Sequence, residues 1–211
     1  GQPYAWGFSR LELNKEVLVH GKITLETAEG MMPDGSLFRM PGDTPIPDIQ
    51  DLTEHNPVNE LVYLALPLRV NGVAEAPQEP TQTTRMLRKT QEARDIASIE
   101  AERHMVEVAQ YRFRILMGSE DRDDFTCLPI ARIREKRADG SLVLDRDFIP
   151  PTTSISAASD LASELHNFRG LIEQRAKNMA STLGAPGQAS DFMMLQCLNR
   201  LQAKFRFLDT S

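Results

Sequence analysis

The sequence predicts a mainly β N-terminal domain, an antiparallel sandwich or jelly-roll, over residues 1–151, followed by an α-helical hairpin over residues 152–211 that forms part of a helical bundle. Three observations carry this. Short runs of alternating apolar and polar residues are separated by Pro, Gly and Asx turns throughout the first 150 residues, with no strand-helix-strand alternation. Two of those turns are Asp-Gly-Ser, at Asp34-Gly35-Ser36 and Asp139-Gly140-Ser141, and Asp-Gly between alternating runs is a hairpin signal because the turn requires φ > 0. Pro150-Pro151 then stops any strand or helix, and beyond it the apolar spacing changes to three and four residues.

Taken in order, the candidate strands are Phe8 to Leu13, Glu16 to His20, and Ile23 to Thr27 with an extension to Met31. The turn Met32-Pro33-Asp34-Gly35-Ser36 leads into a strand at Leu37 to Met40. Pro41 to Pro57 holds Pro41, Pro45, Pro47 and Pro57 with little periodicity, which reads as an extended surface connection. Glu60 to Val70 is the most apolar run and reads as a central strand, with Pro67 marking its exit or a bulge. Thr83 to Lys89 and Met105 to Leu116 read as further strands, with Gln91 to Arg103 a short helix or an excursion between them. Cys127 to Arg134 and Leu142 to Asp145 form the last hairpin.

In the helical part, Leu161, Leu165, Phe168, Ile172, Ala176, Met179 and Leu183 share one face, with Ser156 and Ser159 as capping candidates and Gly184-Ala185-Pro186-Gly187 as the stop. Met194, Leu198, Leu201, Phe205 and Leu208 then follow a heptad spacing. Each Leu- or Phe-sized side chain gains about 1.5–3 kcal/mol on burial, more than two helices can enclose by themselves. The stripe therefore packs on the β domain or meets copies from other subunits, and the heptad favours the second.

No catalytic constellation emerges. His20, His55, His104 and His166 lack metal-ligand spacing, and Ser163 with His166 has no nucleophile elbow. The acidic loop Glu120 to Asp124 lacks the Gly and the Glu that a calcium loop needs, and the glycines sit singly in turns rather than in a phosphate cradle. Neither a cofactor nor a metal is expected. Cys127 and Cys197 read as core residues. The net charge of −6 disfavours nucleic acid as the main partner, although Arg132, Arg134, Lys136 and Arg137 make one basic cluster that reads as a nucleic-acid patch or a solvated face. Without a membrane-length apolar run or a signal-peptide pattern, the expectation is a soluble, cytoplasmic chain with no direct membrane insertion. Met31, Met32, Leu37, Phe38 and Met40 make an unusually apolar hairpin, read either as core-facing or as a protein-binding patch.

These residues also carry a resemblance. Pro3-Tyr4-Ala5-Trp6-Gly7, Met32-Pro33-Asp34-Gly35, Leu64-Ala65-Leu66-Pro67, Thr126-Cys127-Leu128-Pro129 with Ile130-Ala131-Arg132-Ile133, and Asp147-Phe148-Ile149-Pro150-Pro151 occur in the order found in TssK, the type VI secretion baseplate subunit. The chain resembles that family from about Pro3 to Phe207. The resemblance implies a non-enzymatic structural adaptor. Its β domain would be similar to the shoulder of phage receptor-binding proteins and would dock the wedge proteins TssF and TssG, and its helices would begin the neck of a homotrimer. It also implies contacts with the membrane-complex proteins TssL and TssM through a C-terminal head that this sequence does not contain. The chain further departs from the family by lacking a short segment before Pro3 and by stopping in the second neck helix. Bundle packing is expected from Leu161, Leu165, Phe168, Ile172, Met194, Leu198, Leu201 and Phe205, and wedge docking from Met31, Met32, Phe38, Met40 and the Pro41 to Pro57 connection. The rival expectation is a carbohydrate-binding or other ligand-binding β-sandwich with a helical tail, against which stand one Trp, three Tyr and no recognisable carboxylate pair.

Overall fold

The computed structural model describes residues 6–94, 103–153, 159–182, 193–194 and 196–201. By internal contacts the chain divides into Gly1–Pro151 and Thr152–Ser211. The first unit runs β1 (Gly7–Leu13), α1 (Lys15–Leu18), β2 (Lys22–Ile23), β3 (Leu25–Met31), β4 (Leu37–Met40), β5 (Gln50–Asp51), β6 (Glu60–Pro67), β7 (Met86–Arg94), β8 (Arg103–Tyr111), β9 (Arg114–Met117), β10 (Phe125–Lys136) and β11 (Leu142–Leu144). In the second unit, α2 spans Ser159–Thr182.

The β unit is antiparallel throughout. A three-stranded sheet has the order β1-β3-β4 and a four-stranded sheet the order β11-β10-β6-β9, with two-stranded ribbons β2-β5 and β7-β8 beside them. One core joins the two larger sheets: Phe8, Ala28, Phe38 and Met40 from the first meet Val62, Leu64, Leu128 and Ile133 from the second. Inward-facing residues alternate along β6 at Val62, Leu64 and Leu66, as the pleat requires. Along β10 the buried series Thr126, Leu128, Ile130 continues as Ala131, Ile133, a change of phase that coincides with a bulge between Pro129 and Ala131. Pro129 has no amide to give the ladder, and the extra residue re-aims the rest of the strand inward.

Several expectations need correction. Glu16 to His20 is not a strand; Asn14 accepts from the amides of Glu16 (3.0 Å) and Val17 (3.4 Å), and this cap starts the short helix α1. Met105 to Leu116 is not one strand, because the chain leaves the β7-β8 ribbon after Tyr111 and enters the four-stranded sheet at Arg114. Its single alternating face therefore divides, with Met105 exposed and Phe113 and Ile115 in the core. β7 continues past Lys89 to Arg94, so the first part of Gln91 to Arg103 is strand. Residues 95–102 lie outside the described ones. Cys197 is exposed rather than buried, and Cys127 is half-buried, where burial raises its thiol pKa and the Arg122 charge partly opposes that.

Candidate docking surfaces

The two Asp-Gly-Ser turns close in the same way. Met32 N–H donates to the Ser36 carbonyl (2.9 Å) and Gly35 N–H to the Met32 carbonyl (2.9 Å); Arg137 N–H donates to the Ser141 carbonyl (2.8 Å) and Gly140 N–H to the Arg137 carbonyl (2.9 Å). Gly35 and Gly140 both sit at φ +86°, in the left-handed region. Each Asp accepts from the amide two residues on, Ser36 at 3.0 Å and Ser141 at 2.9 Å.

Three of the five apolar residues around the first turn are core. Met32, Phe38 and Met40 are buried, so their side chains present no docking surface, and the core-facing reading applies to these three. Met31 is half-buried. Leu37, part of the apolar hairpin read as core-facing or as a protein-binding patch, is 71% exposed because strand alternation turns it away from Phe38.

Arg85, just before β7, lies almost fully buried behind that turn. Its guanidinium donates to Asp34 Oδ2 (2.6 Å), Ser36 Oγ (2.5 Å) and the Pro67 carbonyl, and it lies over the Tyr111 ring at 5.4 Å. Only its Nε lacks a partner among the described residues. Burial pushes the Asp34 carboxyl up, but the Ser36 amide and the Arg85 guanidinium outweigh it and hold the group below its ordinary value. One cation thus ties the first hairpin, the end of the central strand and the base of the β7-β8 ribbon together.

The charged segments are similarly tied down. In the expected basic patch, Lys136 donates to the carbonyls of Leu52 (3.1 Å), Thr53 (2.5 Å) and His55 (3.0 Å), while Arg132 pairs with Asp145 (3.3 Å) and lies over the Phe148 ring. In the acidic loop, Arg122 donates to the carbonyls of Met117 (2.9 Å) and Gly118 (2.6 Å) and stacks on Tyr63 at 4.4 Å, so that loop is pinned to β9 rather than freely solvated. No cluster able to hold a metal ion occurs among the described residues.

A groove of about 630 Å³ runs between the Pro45–Gln50 part of the connection, the base of the β7-β8 ribbon and β9. Arg88, Lys89, Arg112 and Arg114 line it against Asp48 and Glu120. Arg112 donates to the Thr81 carbonyl (2.8 Å) and Arg88 to the Ala76 carbonyl (2.8 Å). Arg114 is half-buried; burial first, and then the neighbouring Arg112 charge, lower its pKa, with Asp48 and Glu120 acting the other way.

In the helical unit, Ile172 and Ala176 are buried, whereas Phe168, Leu171, Met193, Met194 and Leu201 are exposed and Leu198 is half-buried. Leu161 and Leu165 fall within α2, but their side chains, like the whole of Phe205, lie outside the described residues. Leu171 escaped the three- and four-residue spacing and Met193 the heptad because each stands one position off its stripe, next to Ile172 and Met194. No helix among the described residues is long and apolar enough to cross a membrane.

The family model described as "Bacterial Type VI secretion, VC_A0110, EvfL, ImpJ, VasE" matches residues 1–211. The chain belongs to this family, that of TssK. It is 35% identical over 205 residues to the type VI secretion system baseplate component TssK1 of Pseudomonas aeruginosa, covering 94% of this chain and 46% of the relative. A crystal structure of TssK superposes with a TM-score of 0.89 at 30% identity, over 99% of this chain and 48% of that one. A TssK-TssF-TssG baseplate subcomplex solved by cryo-electron microscopy contains a chain with the same fold, at a TM-score of 0.85 and 21% identity, over 100% of this chain and 69% of that one. The chain therefore spans about half the length of the first relatives it matches. The β-rich TssK fold is shared, and the family is one of bacterial type VI secretion proteins.

Proposed function

We propose that this chain is a non-enzymatic structural adaptor of the type VI secretion baseplate, present in the bacterial cytoplasm. Its β unit is the shoulder that docks the TssF and TssG wedge proteins, and its helices belong to the neck that assembles three copies. The observation that carries the reading is the family match along the whole chain, in register with the TssK fold. Exposed Leu171, Met194 and Leu201 support the neck role, since exposed apolar helix positions favour association. In the longer relatives, the contact with the membrane-complex proteins TssL and TssM would lie in the head beyond the part this chain matches. The carbohydrate-binding alternative is disfavoured by the aromatics: Phe8, Phe38 and Phe113 stack on one another inside the core, at centroid distances of 5.9 and 5.2 Å.

Light scattering across a concentration series tests the neck, with an expected mass of three times 23.7 kDa. Leu165→Asp with Leu198→Asp should reduce the mass to that of one chain, because each charge would have to be buried at the bundle seam. A trimer that survives both changes would sink the neck assignment. Purified TssF–TssG wedge complex, titrated by mass photometry, tests the shoulder; no association would remove that part of the proposal.

A further inference from the structure

We infer that the groove beside β9 is a strand-addition site for an extended, acidic segment of a protein partner. The inference deepens the docking role proposed for the β unit and rests on it. β9 is the outer strand of the four-stranded sheet, and among the described residues nothing pairs with its free edge. Pairing with β6 alternates along it. Gly118 N–H donates to the Leu61 carbonyl (2.7 Å), on the β6 side, while Met117 N–H is turned outward and meets Glu120 Oε2 (2.6 Å). By the same two-residue period, the Ile115 N–H and C=O face outward along the groove, whereas its side chain is buried. The outward C=O of Met117 is likewise taken, by the Arg122 guanidinium (2.9 Å) and the Glu120 N–H (3.2 Å), so the edge is open at Ile115, and an unpaired edge is a template for another strand.

Three features select what that strand carries. The walls hold four cationic side chains against two carboxylates, in a chain whose net charge is −6. The Arg114 side chain has no hydrogen-bond or ion-pair partner among the described residues, and it stands on the strand that offers the edge. Its lowered pKa reflects a half-desolvated guanidinium that a carboxylate would stabilise. Opposite it, Ile46 and Ile49 are exposed on the proline-rich wall, giving apolar contact to alternate side chains of an incoming strand. An extended segment with Asp or Glu at every second position fits both: main-chain bonds to Ile115 and carboxylates toward Arg114.

The test uses the full 211-residue chain and a fluorescein-labelled octapeptide of alternating valine and glutamate, its valine-lysine counterpart, and a single-stranded oligonucleotide of eight residues. Fluorescence anisotropy should show binding of the acidic peptide only, and NMR hydrogen exchange should show the Ile115 amide slowed by it. Arg114→Glu should weaken binding about tenfold or more, and Arg114→Gln less, with both variants melting like the parent. Arg10→Glu, at an exposed position of β1, controls for net charge and should change little. Equal binding of both peptides, tighter binding of the oligonucleotide, no binding of the acidic peptide, an unprotected Ile115, or equal losses from Arg114→Glu and Arg10→Glu would each overturn the inference. Because the wedge titration is separate, a wedge that binds a chain failing these tests would leave the adaptor role standing and remove only the groove.

Discussion

The two Asp-Gly-Ser turns, Met32–Ser36 and Arg137–Ser141, have the same local chemistry and different tertiary roles. Both use an Asp side chain to accept from the amide two residues on, and both place Gly at φ +86°. In the second turn the Ser141 hydroxyl also closes on its own Asp139, at 2.6 Å, and the turn is complete in itself. In the first, the Ser36 hydroxyl and the Asp34 carboxylate both accept from buried Arg85, forty-nine residues or more away in sequence. The difference shows that a turn motif specifies its own closure and nothing about what the rest of the chain builds on it. The first turn is a structural junction and the second is a loop end.

Breaking Arg85 should have the largest effect. Arg85→Met leaves Asp34, Ser36 and the Pro67 carbonyl without their donor, and removing one partner of a buried ionic cluster costs about 3–5 kcal/mol. Urea denaturation should show that loss, and a loss below about 1 kcal/mol would mean the clamp is not a junction. Asp34→Ala should cost less, about 2 kcal/mol, since the partly exposed carboxylate site admits water and Arg85 retains Ser36 and Pro67. Asp139→Ala should cost less again, as its carboxylate is exposed and its bonds involve only its own turn. If the two Asp→Ala variants lose the same stability, the contrast between the turns fails.

Acid should sharpen the same contrast. Asp34 and Asp139 are both held below the ordinary carboxylate value, and Asp51 is held at about 2 by the Thr53 amide, the Thr53 hydroxyl and Lys22. Each group binds its proton less readily folded than unfolded. The stability it contributes is therefore fully present above the unfolded value of about 4 and is lost as pH falls through the lower folded value, about 2 for Asp51. Arg85→Met removes one of the causes that lower Asp34, so its stability should fall less steeply than the parent's between pH 5 and 3. Parallel curves would show that Arg85 does not set the Asp34 charge. The smallest difference is expected at the glycines. Gly35→Ala and Gly140→Ala meet nothing within 4 Å, so each should cost only the left-handed backbone strain, about 1 kcal/mol, and equally in both turns.

Much of the β unit was legible because period-two alternation and Asp-Gly turns are local signals. The hairpin β10-β11, the central strand ending at Pro67 and the strand β4 after the first turn all follow from them. Other parts were not. Glu16 to His20 alternates well enough to read as a strand, but the Asn14 cap starts a helical turn there. Met105 to Leu116 carries one unbroken alternation, and nothing at Arg112 or Phe113 announces that the chain changes sheets. The docking candidates near the first turn were chosen for being apolar, and that is the property that buries Met32, Phe38 and Met40. Arg114 gave no signal, since a single arginine in a strand is ordinary until its neighbours are known.

The sequence by itself determined the fold class, the two hairpin turns, the helical spacing after Pro151 and the family, because each depends on residues close along the chain or on an ordered series of motifs. Only the tertiary structure decided that Arg85 joins three elements, that Lys136 and Arg122 tie down loops instead of facing solvent, and that β9 is left with an open edge beside a cationic groove. Those outcomes depend on which strands become neighbours. Strand neighbours are set by the packing of a shared core over long sequence separations, and a local pattern of residues does not encode that packing one segment at a time.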